Sequence, residues 1–275
     1  MVAMLERPVG IYAKKNVVVI SQTETIGYTY QFMIKYNIRH ISIIDNELKL
    51  AGILTAHDIL KELIKYPSAK FLSIKNSEVM RKDVFFVDAN TTIRNTILTM
   101  SRLNFSALPV LVGDAIDGMF TENDIISLDY IWDEVRDSTF TPNRGIGETI
   151  DQNNIISHEF TLLDAANKIL ETKSNFILIK NNGGQFSGIV SINKILGSII
   201  PLLMFAKGDA NFFKSVKIDT LVREPVIERK SPGLIMITKN LMRSRGIEAV
   251  VLFEDGIPKK LVTQSDLVRY LSDYL

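Results

Sequence analysis

The chain has 275 residues, 46% of them apolar and 23% charged, with a formal net charge of +1. A polypeptide of this length buries about 75% of its unfolded surface, and near-neutrality excludes a global field that would recruit nucleic acid or anionic membrane. The absence of cysteine excludes a disulfide framework, a thiolate metal site and a thiol nucleophile, and fits a reducing cytoplasm.

The opening residues, Met1 to Pro8, lack the apolar core of a signal peptide. Val17 to Ile20 is a β-branched run with the composition of a buried strand. Thr25 then stands where a helix should start. Ile26, Tyr30, Met33 and Ile34 line one face of a helix reaching Tyr36. A strand from Ile38 to Asp45, a turn at Asn46-Glu47 and a strand from Leu50 to Leu54 follow. Thr55 caps a second helix from Ala56 to Lys65. The order is β-α-β-β-α.

The same order recurs. A second unit has Val84 to Val87, caps at Thr91-Thr92, a helix through Met100, and strands Leu108 to Val112 and Gly118 to Thr121. A third has Ile155 to Ser157, a cap at Thr161, a helix to Glu171, a strand from Phe176 to Ile179 and a turn at Gly183-Gly184. The apolar stretch from Ile195 to Ala206 contains Pro201 and is too short to span a bilayer, so it reads as a buried or interface helix. The fourth unit has Val226-Ile227, a cap and proline at Ser231-Pro232, a strand from Ala249 to Phe253 and a turn at Asp255-Gly256. The expected repeats span 9–66, 75–136, 145–206 and 216–275. The longest linker begins near Asp137 and divides them into modules 9–136 and 145–275. One such unit cannot bury both faces of its sheet, so successive units are expected to share a core, with two three-stranded sheets per module and helices outside.

One phrase marks each unit: Gly-apolar-apolar-Thr-x-x-Asp. It reads Gly52 to Asp58, then Gly118 to Asp124, is degraded from Gly188 to Lys194, and returns as Lys260 to Asp266. The copies begin 66, 70 and 72 residues apart, a period that makes each unit a small domain. Each phrase ends a strand and opens a helix. Such a junction offers unpaired backbone N–H groups and a positive dipole end to a phosphate. A threonine hydroxyl can donate to a phosphate or ribose oxygen, and an aspartate one turn on can accept from two ribose hydroxyls. The pattern also fits a simple capping box.

These phrases, with the strand Ile38 to Asp45, Ala107 to Val110, and the lead-ins Ser77 to Met80, Gly147 to Ile150 and Asp219 to Val222, make the chain resemble proteins of four cystathionine-β-synthase (CBS) domains in two Bateman modules. The resemblance covers Val9 to Leu271. It implies an α/β (α+β) fold of tandem CBS pairs that bind AMP, ADP, ATP or S-adenosylmethionine in clefts between repeats. Carried over by position, it nominates Thr55 with Asp58, Thr121 with Asp124, and Thr263 with Asp266 for ribose and phosphate. Arg39 and His40 would contact phosphate, and Ile53 and Met119 would flank adenine. Repeat one is complete. Repeat two has Ser106-Ala107 in place of the basic pair, and repeat four has Glu248-Ala249 there and Lys260 for glycine. Repeat three places Lys194 where a carboxylate is needed, and lysine cannot accept from hydroxyls.

His57, beside Asp58, is expected on an exposed helix position. His40 and His158 have no metal-ligand spacing. No nucleophile with a base, and no acid–base pair, can be assembled. The expected protein is therefore a cytoplasmic, non-enzymatic regulator. By the resemblance it takes an adenosine nucleotide as ligand, and it is expected to use no cofactor or metal and to signal energy state by a shift between conformations. Its output would be a separate protein partner, self-association as a homodimer, or both, with no membrane involved. Local basic pairs such as Arg81-Lys82 read as solvated faces. A nucleic-acid-binding regulator, a nucleotide-hydrolysing enzyme and a structural scaffold are the alternatives.

Overall fold

The computed structural model describes residues 2–66, 68–137, 146–150, 155–205, 215–218, 227–229, 234–245 and 247–275. A short helix α1 (Val2–Leu5) precedes repeat one: β1 (Val19–Ser21), α2 (Ile26–Tyr36), β2 (His40–Ile44), β3 (Leu50–Thr55) and α3 (Ala56–Lys65). Helix α4 (Asn76–Val79) leads into repeat two: β4 (Val87–Asp88), α5 (Ile93–Leu103), β5 (Ala107–Val112), β6 (Ala115–Thr121) and α6 (Glu122–Ile126), followed by α7 (Asp129–Asp137). Strand β7 (Glu148–Thr149) precedes repeat three: β8 (Ile155–Ser157), α8 (Leu162–Thr172), β9 (Phe176–Lys180), β10 (Phe186–Ser191) and α9 (Ile192–Phe205). Repeat four is β11 (Ile227–Arg229), α10 (Leu234–Arg245), β12 (Ala249–Glu254), β13 (Ile257–Thr263) and α11 (Gln264–Tyr274).

In every repeat the first strand runs parallel to the second and the second antiparallel to the third. Threonine starts the first helix: Thr25, Thr92 and Thr161 accept from the backbone N–H three residues on, and Asn37, Asn104 and Lys173 close those helices in the left-handed region. The first strands differ from expectation. β1 begins at Val19, and β4 covers only Val87 and Asp88, leaving Phe85 and Phe86 outside it and more than half exposed. Apolar composition marks a strand, but its ends lie where pairing to the neighbour stops. The Ser231-Pro232 cap and the Asp219 to Val222 lead-in fall outside the described residues.

Packing forms two compact units, one holding residues 18–84 and 151–224, the other 1–17, 85–150 and 225–275. The first joins repeats one and three. Ile59 and Leu63 of α3, Ala165 and Ile169 of α8, and Ile195 and Ile199 of α9 share its core. The Tyr30 hydroxyl donates to the Leu196 carbonyl at 3.1 Å, and burial pushes its pKa up to about 12. The apolar stretch around Pro201 is thus a buried helix, as its composition suggests. The second unit joins repeats two and four. Trp132 is fully buried there and donates to the Ile125 carbonyl at 3.1 Å, while Ser101 of α5 meets Ser272 of α11 at 2.7 Å. Sequence order pairs successive repeats. The cores instead join alternate ones, because an amphipathic second helix needs another helix over its apolar face and chain order does not say which.

Lead-in segments cross onto a repeat other than the one they introduce. Arg81, ahead of repeat two, exchanges backbone bonds of 2.9 Å in both directions with Ile53 of repeat one. Lys14, ahead of repeat one, does the same with Met119 of repeat two, at 2.9 and 3.1 Å. β7 pairs with β13 through Thr149 and Lys260. The motif glycines exist for this crossing. A Cβ on Gly52 would lie 2.6 Å from Met80 Sδ and 2.9 Å from the Arg81 carbonyl, and one on Gly118 would lie 2.7 Å from the Lys14 carbonyl. In repeat four the receiving residue is Lys260, and the glycine has moved to the crossing segment. Gly147, at φ +81, would place a Cβ 2.7 Å from Val262 Cγ2.

Candidate functional site

At repeat one the strand–helix junction closes as a reciprocal cap. Thr55 Oγ1 accepts from the Asp58 N–H at 3.3 Å and donates to Asp58 Oδ2 at 2.6 Å. Oδ2 also accepts from the Thr55 N–H at 3.0 Å. The hydroxyl proton is therefore used on the carboxylate. Asp58 has a second oxygen, and Oδ1 accepts from Arg81 Nε at 3.1 Å and Nη2 at 3.0 Å. The Asp58 side chain is 13% exposed beneath a guanidinium that is 59% exposed.

Arg39 and His40 lead into β2 against this junction: the Ala56 N–H donates to the Arg39 carbonyl at 2.9 Å, and His40 lies across from Thr55. Burial, reinforced by the charges of Arg39, His57 and Arg81, lowers the His40 pKa to about 3. His40 is thus a neutral imidazole near pH 7, and the expected basic pair supplies one cation. Arg81 supplies another. By its sequence alone Arg81 belongs on a solvated face, although its position just past the short lead-in Ser77 to Met80 is a usable signal. His57 also departs from expectation. It is half-buried, its Nε2 lies 3.2 Å from the Ser174 carbonyl of repeat three, and burial lowers its pKa.

Repeat two builds the same cap, with Asp124 Oδ2 accepting from the Thr121 N–H at 2.8 Å and Oγ1 at 2.7 Å. Its Oδ1 has no hydrogen-bond partner among the described residues. Burial raises the Asp124 pKa, against the Thr121 hydrogen bonds and the Lys14 charge that lower it. In repeat four Asp266 Oδ2 accepts from the Thr263 N–H and Oγ1, both at 2.7 Å, and Oδ1 accepts from Arg269 at 2.8 Å. Repeat three keeps only the Ser191 hydroxyl accepting from the Lys194 N–H at 3.3 Å. Thr161 and Asp164 form an identical cap on α8, where Asp164 is exposed to solvent. The cap alone therefore marks no site. What separates Asp58, Asp124 and Asp266 from Asp164 is a sheltered second oxygen. Ile53 is half-buried and Met119 buried, each with its backbone engaged by a lead-in. Among the described residues no acidic or histidine cluster could hold a metal, and no helix is long and apolar enough to cross a membrane.

The sequence model of the CBS domain matches residues 10–65 and 77–130. The chain thus carries CBS domains in its first two repeats. Repeats three and four of the CBS-domain chain repeat the strand and helix order of the matched pair. Over 98% of its length it is 22% identical to the whole of the uncharacterized protein MJ1225 of Methanocaldococcus jannaschii. The crystal structure of MJ1225, described as a proposed archaeal homolog of g-AMPK, covers 96% of this chain and 99% of its own with a TM-score of 0.76 at 18% identity. An uncharacterized conserved protein from Pyrococcus horikoshii covers the same shares with a TM-score of 0.56 at 17% identity. At such identities these likenesses fix the fold. The homoserine O-acetyltransferase of Methanococcus vannielii is 36% identical over 97 residues, 35% of this chain and 19% of that enzyme. The CBS-domain chain thus spans about a fifth of the acetyltransferases it matches.

Proposed function

We propose that the protein is a non-catalytic regulator that binds AMP, ADP or ATP at the Thr-x-x-Asp junctions and reports the energy state to a protein partner by a change of conformation. The observation that carries this reading is the division of labour within the motif carboxylate. One oxygen completes the helix cap, while the other is held at a sheltered position, open in Asp124 and covered by a cation in Asp58. A half-buried carboxylate oxygen without a donor is disfavoured by burial, and two ribose hydroxyls would relieve it. Arg39 and Arg81 beside Asp58 suit the phosphates of the same ligand. The likeness to MJ1225 supports energy sensing as the theme. Repeat one is the strongest site, repeat two the next, and repeat three is inactive.

Binding can act on a partner only if two conformations differ in affinity for the ligand, and a coupling of about 1–3 kcal/mol makes a useful switch. Calorimetric titration with AMP, ADP, ATP and S-adenosylmethionine tests the reading. Asp58→Ala should remove the tightest event, and Lys194→Ala should leave it intact. Titrations that stay heat-free at two well-separated temperatures with all four compounds would refute nucleotide binding, and turnover of ATP with magnesium would refute a purely regulatory role.

A further inference from the structure

We infer that Arg81 is the specificity-determining residue of the repeat-one site, a latch on Asp58 that only a ligand carrying its own anionic group can release. The inference rests on the nucleotide reading above and adds to it the class of ligand this site accepts. Both N–H groups that Arg81 directs at Asp58 converge on Oδ1, the one carboxylate oxygen the helix cap leaves over. A sugar reaches that oxygen only if the guanidinium moves aside, since the carboxylate is 13% exposed beneath it. The displaced guanidinium then needs another anion, and Arg39 close by raises that need. A phosphate meets it with paired N–H···O bonds, whereas a neutral nucleoside does not. The half-exposed ion pair is weak enough to exchange, so the latch selects without sealing the site. Repeat two lacks the device. No guanidinium reaches Asp124 Oδ1 among the described residues, and Lys14 acts on it through its charge.

The backbone of Arg81 holds its side chain in place. Its N–H and carbonyl are both bonded to Ile53, so the latch is anchored through the main chain and a side-chain substitution leaves the strand contact standing. The test is calorimetry on the full chain carrying Asp124→Asn and Asp266→Asn, so that repeat one alone offers a motif carboxylate. In that parent, ATP should bind at least about tenfold more tightly than adenosine. Arg81→Ala should strengthen adenosine and weaken ATP, bringing the two within about threefold. Arg81→Gln, which keeps most of the apolar stem, should act the same way and guards against misfolding of the alanine variant. An unchanged ratio of ATP to adenosine affinity in both variants overturns the latch while leaving nucleotide binding intact. Absence of binding by either ligand to parent and variants overturns the nucleotide reading of this site and the latch with it.

Discussion

At the scale of single residues, His40 and Asp124 are held in protonation states that burial sets, with opposite signs. The folded pKa of His40 is about 3, below the ordinary 6.5, so the unfolded chain binds the extra proton more readily. Its contribution to stability is complete above pH 6.5 and is lost as the pH falls toward 3. The loss is at most about 1.4 kcal/mol per pH unit, so lowering the pH from 7.5 to 5 should cost about 2 kcal/mol from this residue alone. His57 acts in the same direction. Urea melts at the two pH values should show that slope, and His40→Gln should flatten it; an unchanged slope in the variant would move the effect elsewhere. Asp124 runs the other way. Its raised pKa means that its stabilising contribution fades as the pH rises, and at neutral pH its charge opposes folding. Asparagine keeps an oxygen to accept from Thr121 and removes that charge. Asp124→Asn should therefore melt no lower than the wild type while losing about tenfold or more in nucleotide affinity at repeat two. A drop of several degrees in melting temperature would show that the charged form is structural.

At the scale of elements, crossings of lead-in segments over motif strands explain the glycines better than any ligand does. Gly118→Ala pushes a methyl to 2.7 Å from the Lys14 carbonyl, backbone that cannot rotate away, and should cost about 1–3 kcal/mol. Gly197→Ala is the control: its Cβ would meet Ile34 at 3.6 Å, an ordinary contact, and a helix interior favours alanine by about 0.5–1 kcal/mol. Chemical denaturation should thus give opposite signs, and a neutral Gly118→Ala would mean the lead-in moves freely. The β-α-β-β-α order was legible because caps, helical faces and β-branched runs are local signals that Thr25, Thr55 and Thr161 carry within a few residues. Motif residues Thr55, Asp58, Thr121 and Asp124 were legible for the same reason. Arg81 was not, because its meeting with Asp58 depends on which strand the lead-in crosses, a non-local choice. Gly52 recorded that crossing in the sequence, but nothing near it names the partner. His57 was misplaced on similar grounds: its surroundings come from repeat three, more than a hundred residues away.

At the scale of the whole molecule, the interleaving of alternate repeats makes each half of the chain incomplete. Residues 1–137 contain repeats one and two, yet α3 is covered by α8 and α9, and α5 and α6 by α11. The polar ties follow the same division: Tyr30 to Leu196, His57 to Ser174, Asn193 to Asn37, and Ser101 to Ser272 all reach into the second half. A fragment ending at residue 137 would expose Ile59, Leu60 and Leu63 of α3, which are buried in the intact chain, on one contiguous helical face. Burying each such side chain is worth about 1.5–3 kcal/mol, so leaving the face in water is unfavourable by several kcal/mol. The cheapest cover available is a second copy, because repeat one presents the same kind of apolar helical face that repeat three supplies. The fragment should therefore dimerise or aggregate, with a melting temperature that rises with concentration, whereas the intact chain satisfies these faces internally. Sedimentation velocity across a hundredfold concentration range decides the matter. A fragment that stays monomeric and melts as cooperatively as the full chain would mean that successive repeats, not alternate ones, carry the folding energy.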